Sequence, residues 1–123
     1  MIKERFNLSR DFQDGVLALC CVMLGDDLSI SLVGGQPHVG AAAIAYPYHK
    51  GDHISVSVSV LEREGHKDGI LGTQIARRIS QSTGRVVHIV CGIHFDNLHP
   101  DELDRLIGIC TDMADELIKE WTV

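Results

Sequence analysis

The stretch ISVSVSVLEREGHKDGILGTQIARRISQSTGRVVHIVCGI, residues 54–93, decides the fold because its hydrophobic period changes twice. Apolar residues alternate with serines over 54–60, which predicts a strand with one buried face. Over 71–79 the apolar residues recur every three or four positions, the spacing of an amphipathic helix with Asp68 as its N-cap. Residues 86–93 are apolar again and predict a strand inside the sheet. This part of the chain therefore predicts strand, helix, strand.

Four further segments extend the pattern toward both ends of the chain. Residues 16–24 form a continuous apolar run, which predicts a strand covered on both faces. Residues 28–32 alternate, and the Gly-Asp-Asp turn before them predicts a hairpin with the preceding strand. Residues 38–45 are rich in alanine and predict a strand packed closely on both sides, since alanine has little preference for strands. A long amphipathic helix is predicted to begin near Pro100 and to dock on the sheet.

The predicted order is ββββαβα, which indicates one α+β domain over residues 1–123, with residues 1–14 as an arm or an extra strand. The sheet is predicted to be mixed but mainly antiparallel and to be packed by two helices. Short turns between the first four strands predict an antiparallel meander. A right-handed crossover through the first helix is expected if the fourth and fifth strands are parallel.

Composition and charge limit the partners and the compartment. The net charge of −6 argues against nucleic acid, because phosphate binding needs a clustered basic surface. No apolar stretch reaches the ~18 residues that span a membrane. The four cysteines lack CxxC spacing and no secretory leader is evident, so we expect reduced thiols and a cytoplasmic protein. The apolar, alanine-lined strands invite a second layer, which predicts a homo-oligomer.

Three turn segments hold the concentrated polar and glycine signals, and the first is GGQPHVG at 34–40. Its glycines allow positive φ and close approach of the backbone to a ligand, and Pro37 stiffens the exit. One interpretation places His38 at the mouth of a pocket, and the other is an ordinary glycine-rich turn. The segment is not a phosphate-binding P-loop, because no Gly-Lys-Ser/Thr follows it.

The second segment, GHKDG at 65–69, comes immediately before the predicted helix. Helix N-termini offer unpaired N–H groups and a positive partial charge, so His66 and Lys67 could complete an anion site there. The alternative is that Asp68 caps the helix and Lys67 is solvated.

The third segment, GIHFDNLHP at 92–100, leads from a strand end into the last helix, a position that ligand sites favour. His94, Asp96, Asn97 and His99 could donate and accept hydrogen bonds there. Zinc is not expected, because His94 and His99 lie five residues apart, which is no recognised ligand spacing.

The evidence for a group of catalytic residues is weaker than the evidence for a binding site. Cys91 near His94 could form a nucleophilic pair, although a buried strand cysteine is the more common outcome. Glu62 and Glu64 look solvent-facing and form no evident acid–base pair. We therefore expect no catalytic residues, and a binding or accessory protein rather than a self-sufficient enzyme.

Across these three segments the sequence resembles the LpdD-like prenylated-flavin chaperones, over about positions 15–120. The resemblance is carried by GGxPHVGA from position 34, GHKD from position 65 and GIHxDN from position 92. It implies a role in handling prenylated FMN, or FMN, for a UbiD-type aromatic-acid decarboxylase such as gallate decarboxylase. The residues expected to contact the ligand are Gly34, Gly35, Pro37, His38, Gly40, His66, Lys67, Asp68, Gly92, His94, Asp96 and Asn97.

A flavin nucleotide needs an anion site, a hydrogen-bonding rim and an apolar slot for its ring. The helix start at 65–69 would hold the phosphate, His38, His94 and Asn97 would rim the ring, and the alanines at 41–45 would leave room for it. Two other functions stay open. One is a small enzyme with His38 or His94 as general base on a carboxylated or phosphorylated substrate. The other is a ligand-free interaction module, which predicts a shallow surface around Gly34 and Gly92 instead of a cleft.

Overall fold

The computed structural model describes residues 4–65 and 68–121 as six strands and two helices, and one of the strands precedes those expected from the sequence. The strand at the front, β1, occupies part of the segment that the sequence left as an arm or an extra strand. The elements are β1 Arg5–Phe12, β2 Gly15–Leu24, β3 Asp27–Gly35, β4 Ala41–Lys50, β5 His53–Glu62, α1 Asp68–Thr83, β6 Val87–His94 and α2 Pro100–Trp121. The α+β class with two helices is confirmed.

The six strands form one mixed sheet in the order β1-β2-β3-β6-β4-β5. The predicted meander is wrong, because β6 lies between β3 and β4, parallel to β3 and antiparallel to β4. Val87, Ile89 and Cys91 of β6 are buried, so the interior of the sheet suits this strand better than an edge. Since β4 is antiparallel to both of its neighbours, β5 and β6 run in the same direction with β4 between them.

Both helices cover one face of the sheet and enclose the core. Helix α1 packs on β4, β5 and β6, and α2 contacts α1 and β1. The alternating residues Ala41, Ala43 and Ala45 of β4 are buried in this core. Their small side chains therefore make room for α1. The sequence analysis had instead expected them to leave room for a ligand. In α2 the buried residues follow the predicted apolar stripe: Leu106, Cys110, Met113, Ala114 and Leu117.

The other face of the sheet carries no helix. Leu17, Leu19 and Cys21 of β2 are buried beneath the helices, while Val22 and Leu24 on the opposite face are exposed. The prediction that β2 is covered on both faces is therefore wrong for the single chain, because the fold has only two layers. Within the described residues, neither helix is long and apolar enough to cross a membrane.

The segment between β3 and β4 is a crossover and not a hairpin turn. Gln36 donates its backbone N–H to the carbonyl of His94 at 3.0 Å, and Gly40 donates to the carbonyl of Cys91 at 3.0 Å. The intervening residues therefore pass across the carboxyl end of β6. This path brings two of the three glycine-containing segments together.

Candidate functional site

A cleft of about 550 Å³ lies where β6 ends, between α1 and α2. This volume is within the range of small-molecule sites, roughly 300–1,000 Å³. Ile70 and Leu103 remain exposed at the cleft, so its walls present apolar surface to solvent. Its apolar lining consists of Ile70, Leu71, Ile93, Phe95, Leu98, Leu103, Leu106 and Ile107. The remaining lining residues are His38, Gly65, Asp68, Gln74 and His94.

A hydrogen-bonded pair, His38 and Asp68, joins three elements at one side of the cleft. Asp68 Oδ1 accepts the backbone N–H of Ile93 at 3.0 Å, and Asp68 Oδ2 lies 3.2 Å from His38 Nε2. The Asp68 side chain is only 9% exposed and the His38 side chain 21%. This pair therefore connects the 36–40 crossover, the start of α1 and the end of β6.

The two ring nitrogens of His38 both face oxygen acceptors. Nδ1 lies 2.9 Å from the carbonyl oxygen of Gln36, and this oxygen can only accept, so Nδ1 carries the proton. Nε2 faces Asp68 Oδ2, so both ring nitrogens are engaged by oxygen atoms of the protein itself. Because neither nitrogen offers a lone pair toward the cleft, the arrangement disfavours His38 as a general base.

The glycines of these segments serve close packing within the protein. A Cβ at Gly40 would overlap the Asp68 carboxylate, and one at Gly92 would overlap the backbone carbonyl of His38. Gly35 has a φ of 68° and packs against the carbonyl of His94, while a Cβ at Gly34 would come 2.6 Å from a methyl carbon of Leu17. Gly35 and Gly92 therefore let the crossover lie directly on β6, while Gly34 and Gly40 leave room for the side chains of Leu17 and Asp68. The predicted contact of these glycines with a ligand stays a prediction.

The start of α1 already holds carboxylates of the protein itself. Glu62 Oε1 accepts the backbone N–H of Gly69 at 2.9 Å, and the Asp68 carboxylate lies beside it in the first helical turn. A negative group is favourable at this end of a helix, but two of them disfavour a phosphate at the same place. Glu62 is exposed, as expected from the sequence, and in addition accepts this hydrogen bond at the start of α1. His66 and Lys67, the predicted anion ligands, lie outside the described residues.

A second pair, His94 and Asp96, lies at the exposed rim. His94 Nε2 is 2.9 Å from Asp96 Oδ1, and the side chains are 53% and 70% exposed. His94 also borders two hollows next to the cleft. One, of about 340 Å³, is lined by Gln36, Pro37, His38, Arg63 and His94. The other, of about 400 Å³, is lined by Gln13, Asp14, Gly15, Gly35, Gln36, His94, Phe95 and Asp96.

The predicted site residues thus divide by position. His38, Asp68 and His94 line the main cleft, Pro37 lines one neighbouring hollow, and Gly35 and Asp96 line the other. Gly34, Gly40 and Gly92 are buried supports behind these side chains. Asn97 is exposed, has a φ of 57°, and is not among the residues that line the cleft or the two neighbouring hollows. Its left-handed backbone shapes the turn into α2.

Neither a reactive thiol nor a metal centre is found at the cleft. Burial raises the pKa of the Cys21, Cys91 and Cys110 thiols to about 12, which keeps them protonated near neutral pH. A nucleophilic Cys91 paired with His94 is therefore disfavoured. Over residues 4–65 and 68–121, no group of three or more His, Cys, Asp or Glu side chains is arranged to hold a metal ion.

The sequence interpretation missed the apolar walls of the cleft and the position of Arg63. Ile70 lies off the stripe formed by Ile75 and Ile79, and Leu103 lies on the predicted stripe of α2 yet stays exposed. An aliphatic residue off the buried stripe of a helix is a signal that could have pointed to Ile70. Nothing in the sequence pattern indicates that Leu103 lies across from β6, because this depends on how the two helices pack.

Comparisons with known proteins agree with this geometry at the level of family and fold. Residues 12–122 match the family model described as a prenylated flavin chaperone LpdD-like domain. A crystal structure of a chaperone complex for yeast 20S proteasome assembly superimposes with a TM-score of 0.59 at 18% sequence identity. The match covers 98% of this chain and 100% of the other. At this identity the likeness shows the fold alone. No curated protein matches the chain.

Proposed function

The chain belongs to the LpdD-like family of prenylated flavin chaperones, and from this premise we propose that it binds prenylated FMN in the cleft and delivers it to a UbiD-type decarboxylase. The observation that carries the proposal is a cleft of about 550 Å³ with a mainly apolar lining and a few polar side chains, His38, Asp68, Gln74 and His94. The proposed role is that of an accessory protein that works in the cytoplasm beside the decarboxylase. FMN without the prenyl group would bind in the same place.

The ring system would lie between the two helices. A flavin ring is flat and largely apolar on both faces, and prenylation adds hydrocarbon to it. Ile70 of α1 and Leu103 of α2 both line the cleft with exposed apolar surface that such a ring would cover. Burial of apolar surface contributes roughly 25 cal/mol per Å², so covering even about 100 Å² is worth ~2.5 kcal/mol. This supports an apolar contribution to affinity from residues that the sequence motifs do not contain.

The polar edge of the ring would face His94. One ring nitrogen of His94 is bonded to Asp96, and this fixes the plane of the imidazole while Nδ1 remains on the other side of the ring. Because the Asp96 carboxylate accepts from Nε2–H, Nδ1 of the neutral ring presents a lone pair to a donor on the ligand. His38 holds the crossover in place through Asp68 and shapes the wall of the cleft. The two histidines therefore have different parts in the proposal.

The phosphate would lie in the neighbouring hollow and not directly at the start of α1. Glu62 and Asp68 bring negative charge to that helix end, while the hollow beside His94 includes Arg63. Arg63 uses one guanidinium N–H on the carbonyl of Val39 at 3.0 Å, and a guanidinium carries five N–H donors. Lys67 and His66 follow Gly65, a lining residue of the cleft, in the sequence and remain proposed phosphate ligands.

A shallow interaction surface fits the molecule less well. The ligand-free alternative predicts little depth around Gly34 and Gly92, whereas a cleft opens where β6 ends. The enzyme alternative rests on His94, since Asp96 orients its ring as an acid–base histidine requires. It predicts turnover of a carboxylated or phosphorylated substrate by the isolated chain, and this turnover would be lost in His94→Ala.

The test uses paired variants on the helix side of the molecule. Leu103 is 47% exposed in the cleft, and Val60 is 44% exposed on β5 outside the residues lining it. We expect Leu103→Lys to weaken prenylated FMN binding at least tenfold. The flavin ring would bury the charged ammonium group of the lysine against an apolar surface, and burial of an unpaired charge is costly in free energy. Val60→Lys should bind as the unmodified chain does. The measurement is a fluorescence titration of purified protein, followed by transfer of the flavin to a decarboxylase apoenzyme.

Two results would count against the proposal. Equal affinities of Leu103→Lys and the unmodified chain for prenylated FMN would show that the cleft is not the binding site. Absence of any spectral change or thermal shift with FMN and with prenylated FMN would contradict direct flavin binding altogether.

A further inference from the structure

The sheet has two edge strands, β1 and β5, and they differ in the features that protect an edge from other chains. Strand β1 has the charged residues Arg5, Arg10 and Asp11 among its eight positions. Strand β5 is ten residues long and has no Asp, Glu, Lys, Arg or Pro from Ile54 to Leu61. Its register with β4 is continuous and contains no bulge. Since charges, prolines and bulges are what keep an edge from pairing, β5 is the unprotected edge.

The pairing of β5 with β4 shows which backbone groups face this edge. Antiparallel strands alternate hydrogen-bonded and non-hydrogen-bonded pairs. Val56 pairs with Pro47, which has no N–H to donate, and the Val56 carbonyl instead accepts from the Arg77 guanidinium at 3.1 Å. Val56 and, by the alternation, Val58 and Val60 therefore direct their N–H and C=O groups outward. Among the described residues, no strand pairs with this side of β5.

The guanidinium of Arg77 gives this edge a positive charge, which selects the chemistry of an incoming strand. Arg77 lies on the exposed side of α1 and reaches the Val56 carbonyl. The N–H of an incoming strand would replace it at that carbonyl, and the guanidinium would then be available to a carboxylate. A residue opposite Val56 points to the helix side of the sheet, as Val56 does, so an acidic residue there would meet Arg77. The neighbouring Arg78 is already held by Asp115 at 2.7 Å.

We propose that an extended acidic segment of a partner protein binds along the edge of β5 as an additional strand, with one of its carboxylates on Arg77. The outward backbone groups of β5 supply the main-chain hydrogen bonds, and the charge pair supplies specificity. A second copy of this chain fits the edge less well. The carboxylate that its β5 offers is Glu62, which already accepts from Gly69, and the copy would bring a second Arg77 to the same edge.

The position of this edge connects it to the cleft. Strand β5 ends at Glu62, whose carboxylate contacts the start of α1, and Asp68 at this start lines the cleft. In the delivery proposed above, the acidic segment would belong to the protein that receives the flavin, and this assignment alone rests on the proposed function. Strand pairing is measured without flavin, so its failure and the failure of flavin binding are separate results.

The experiment uses two fluorescently labelled peptides of about ten residues that alternate valine and threonine. One peptide has a central glutamate, and the other has lysine in its place. By fluorescence anisotropy we expect the unmodified chain to bind the glutamate peptide at least tenfold more tightly. Arg77→Ala should remove this preference, and Arg78→Ala, the adjacent control, should keep it. Val58→Pro should abolish binding of both peptides, because it removes an outward N–H and no hydrogen bond to β4.

Circular dichroism checks that Val58→Pro is folded, and Arg77→Ala, a change on the exposed side of α1, carries the test if it is not. Equal affinities of the unmodified chain for the two peptides would overturn the proposal. So would the absence of binding at high micromolar peptide, or unchanged binding by a folded Val58→Pro. A molar mass that falls from twice 13.5 kDa to 13.5 kDa in Val58→Pro would also overturn it, because a second copy would then occupy the edge.

Discussion

Two histidine–aspartate pairs border the same cleft, and the structure gives them opposite surroundings. His38 and Asp68 are mostly buried and join three elements, while His94 and Asp96 are exposed and lie two residues apart on one turn. The chemistry of the two pairs is the same. Removal of one partner from the buried pair should destabilise the fold, whereas the pair on one exposed turn adds little stability and is accessible to a ligand. The residue types alone do not reveal this difference.

The largest expected effect comes from the glycine that supports the buried pair. In Gly92→Ala the new Cβ would overlap the His38 carbonyl, and the crossover must move off β6. We expect the free energy of unfolding to fall by on the order of 3 kcal/mol, measured by urea denaturation. Gly108→Ala is the control, because Gly108 lies in α2 with open space around it and alanine favours helices by about 1 kcal/mol. Equal denaturation midpoints for the two variants would contradict the account.

The next effect separates the two aspartates. Asp68→Ala leaves the Ile93 N–H and the His38 ring without their acceptor in a nearly buried site. Loss of such an acceptor costs roughly 2–3 kcal/mol of stability. Asp96→Ala removes only an exposed contact and should change stability by less than ~0.5 kcal/mol. Thermal unfolding of both variants measures the difference, and similar melting temperatures would show that the buried pair does not hold the crossover.

The smallest effect on stability should accompany a clear effect on binding. His94→Ala removes one proposed hydrogen bond to the flavin, worth about 1.4 kcal/mol, so affinity should fall about tenfold while the unfolding curve is unchanged. His38→Ala should instead lower the unfolding midpoint, because it removes the partner of Asp68. Fluorescence titration and thermal unfolding of both variants test this division. If His38→Ala weakens binding without a change in stability, the roles assigned to the two pairs are reversed.

The local elements of the fold could be predicted because their hydrophobic periods are clear. Serine–valine alternation in β5 and the helical spacing in α1 and α2 match the structure. The order of strands could not be predicted, since the insertion of β6 between β3 and β4 depends on contacts far apart in sequence. The apolar run in β2 led to an expectation of two covered faces, and the single chain provides one.

For the candidate site, the segments that meet could be predicted from the sequence, but the roles of several residues within them could not. The glycine- and histidine-containing segments around positions 38, 68 and 94 do meet at one cleft. The use of the glycines for backbone packing depends on the crossover, which the sequence does not show. Glu62 looked like an exposed strand-end residue, and only the structure places its carboxylate on the Gly69 N–H. The apolar walls from α2 likewise depend on helix packing.

The most direct test of the central claim is a crystal structure of the chain with prenylated FMN bound. We predict the ring between α1 and α2 against Leu103, its polar edge within hydrogen-bonding distance of His94, and its phosphate on the side of Arg63. A flavin bound on the face of the sheet opposite the helices, or anywhere else away from the end of β6, would contradict the account.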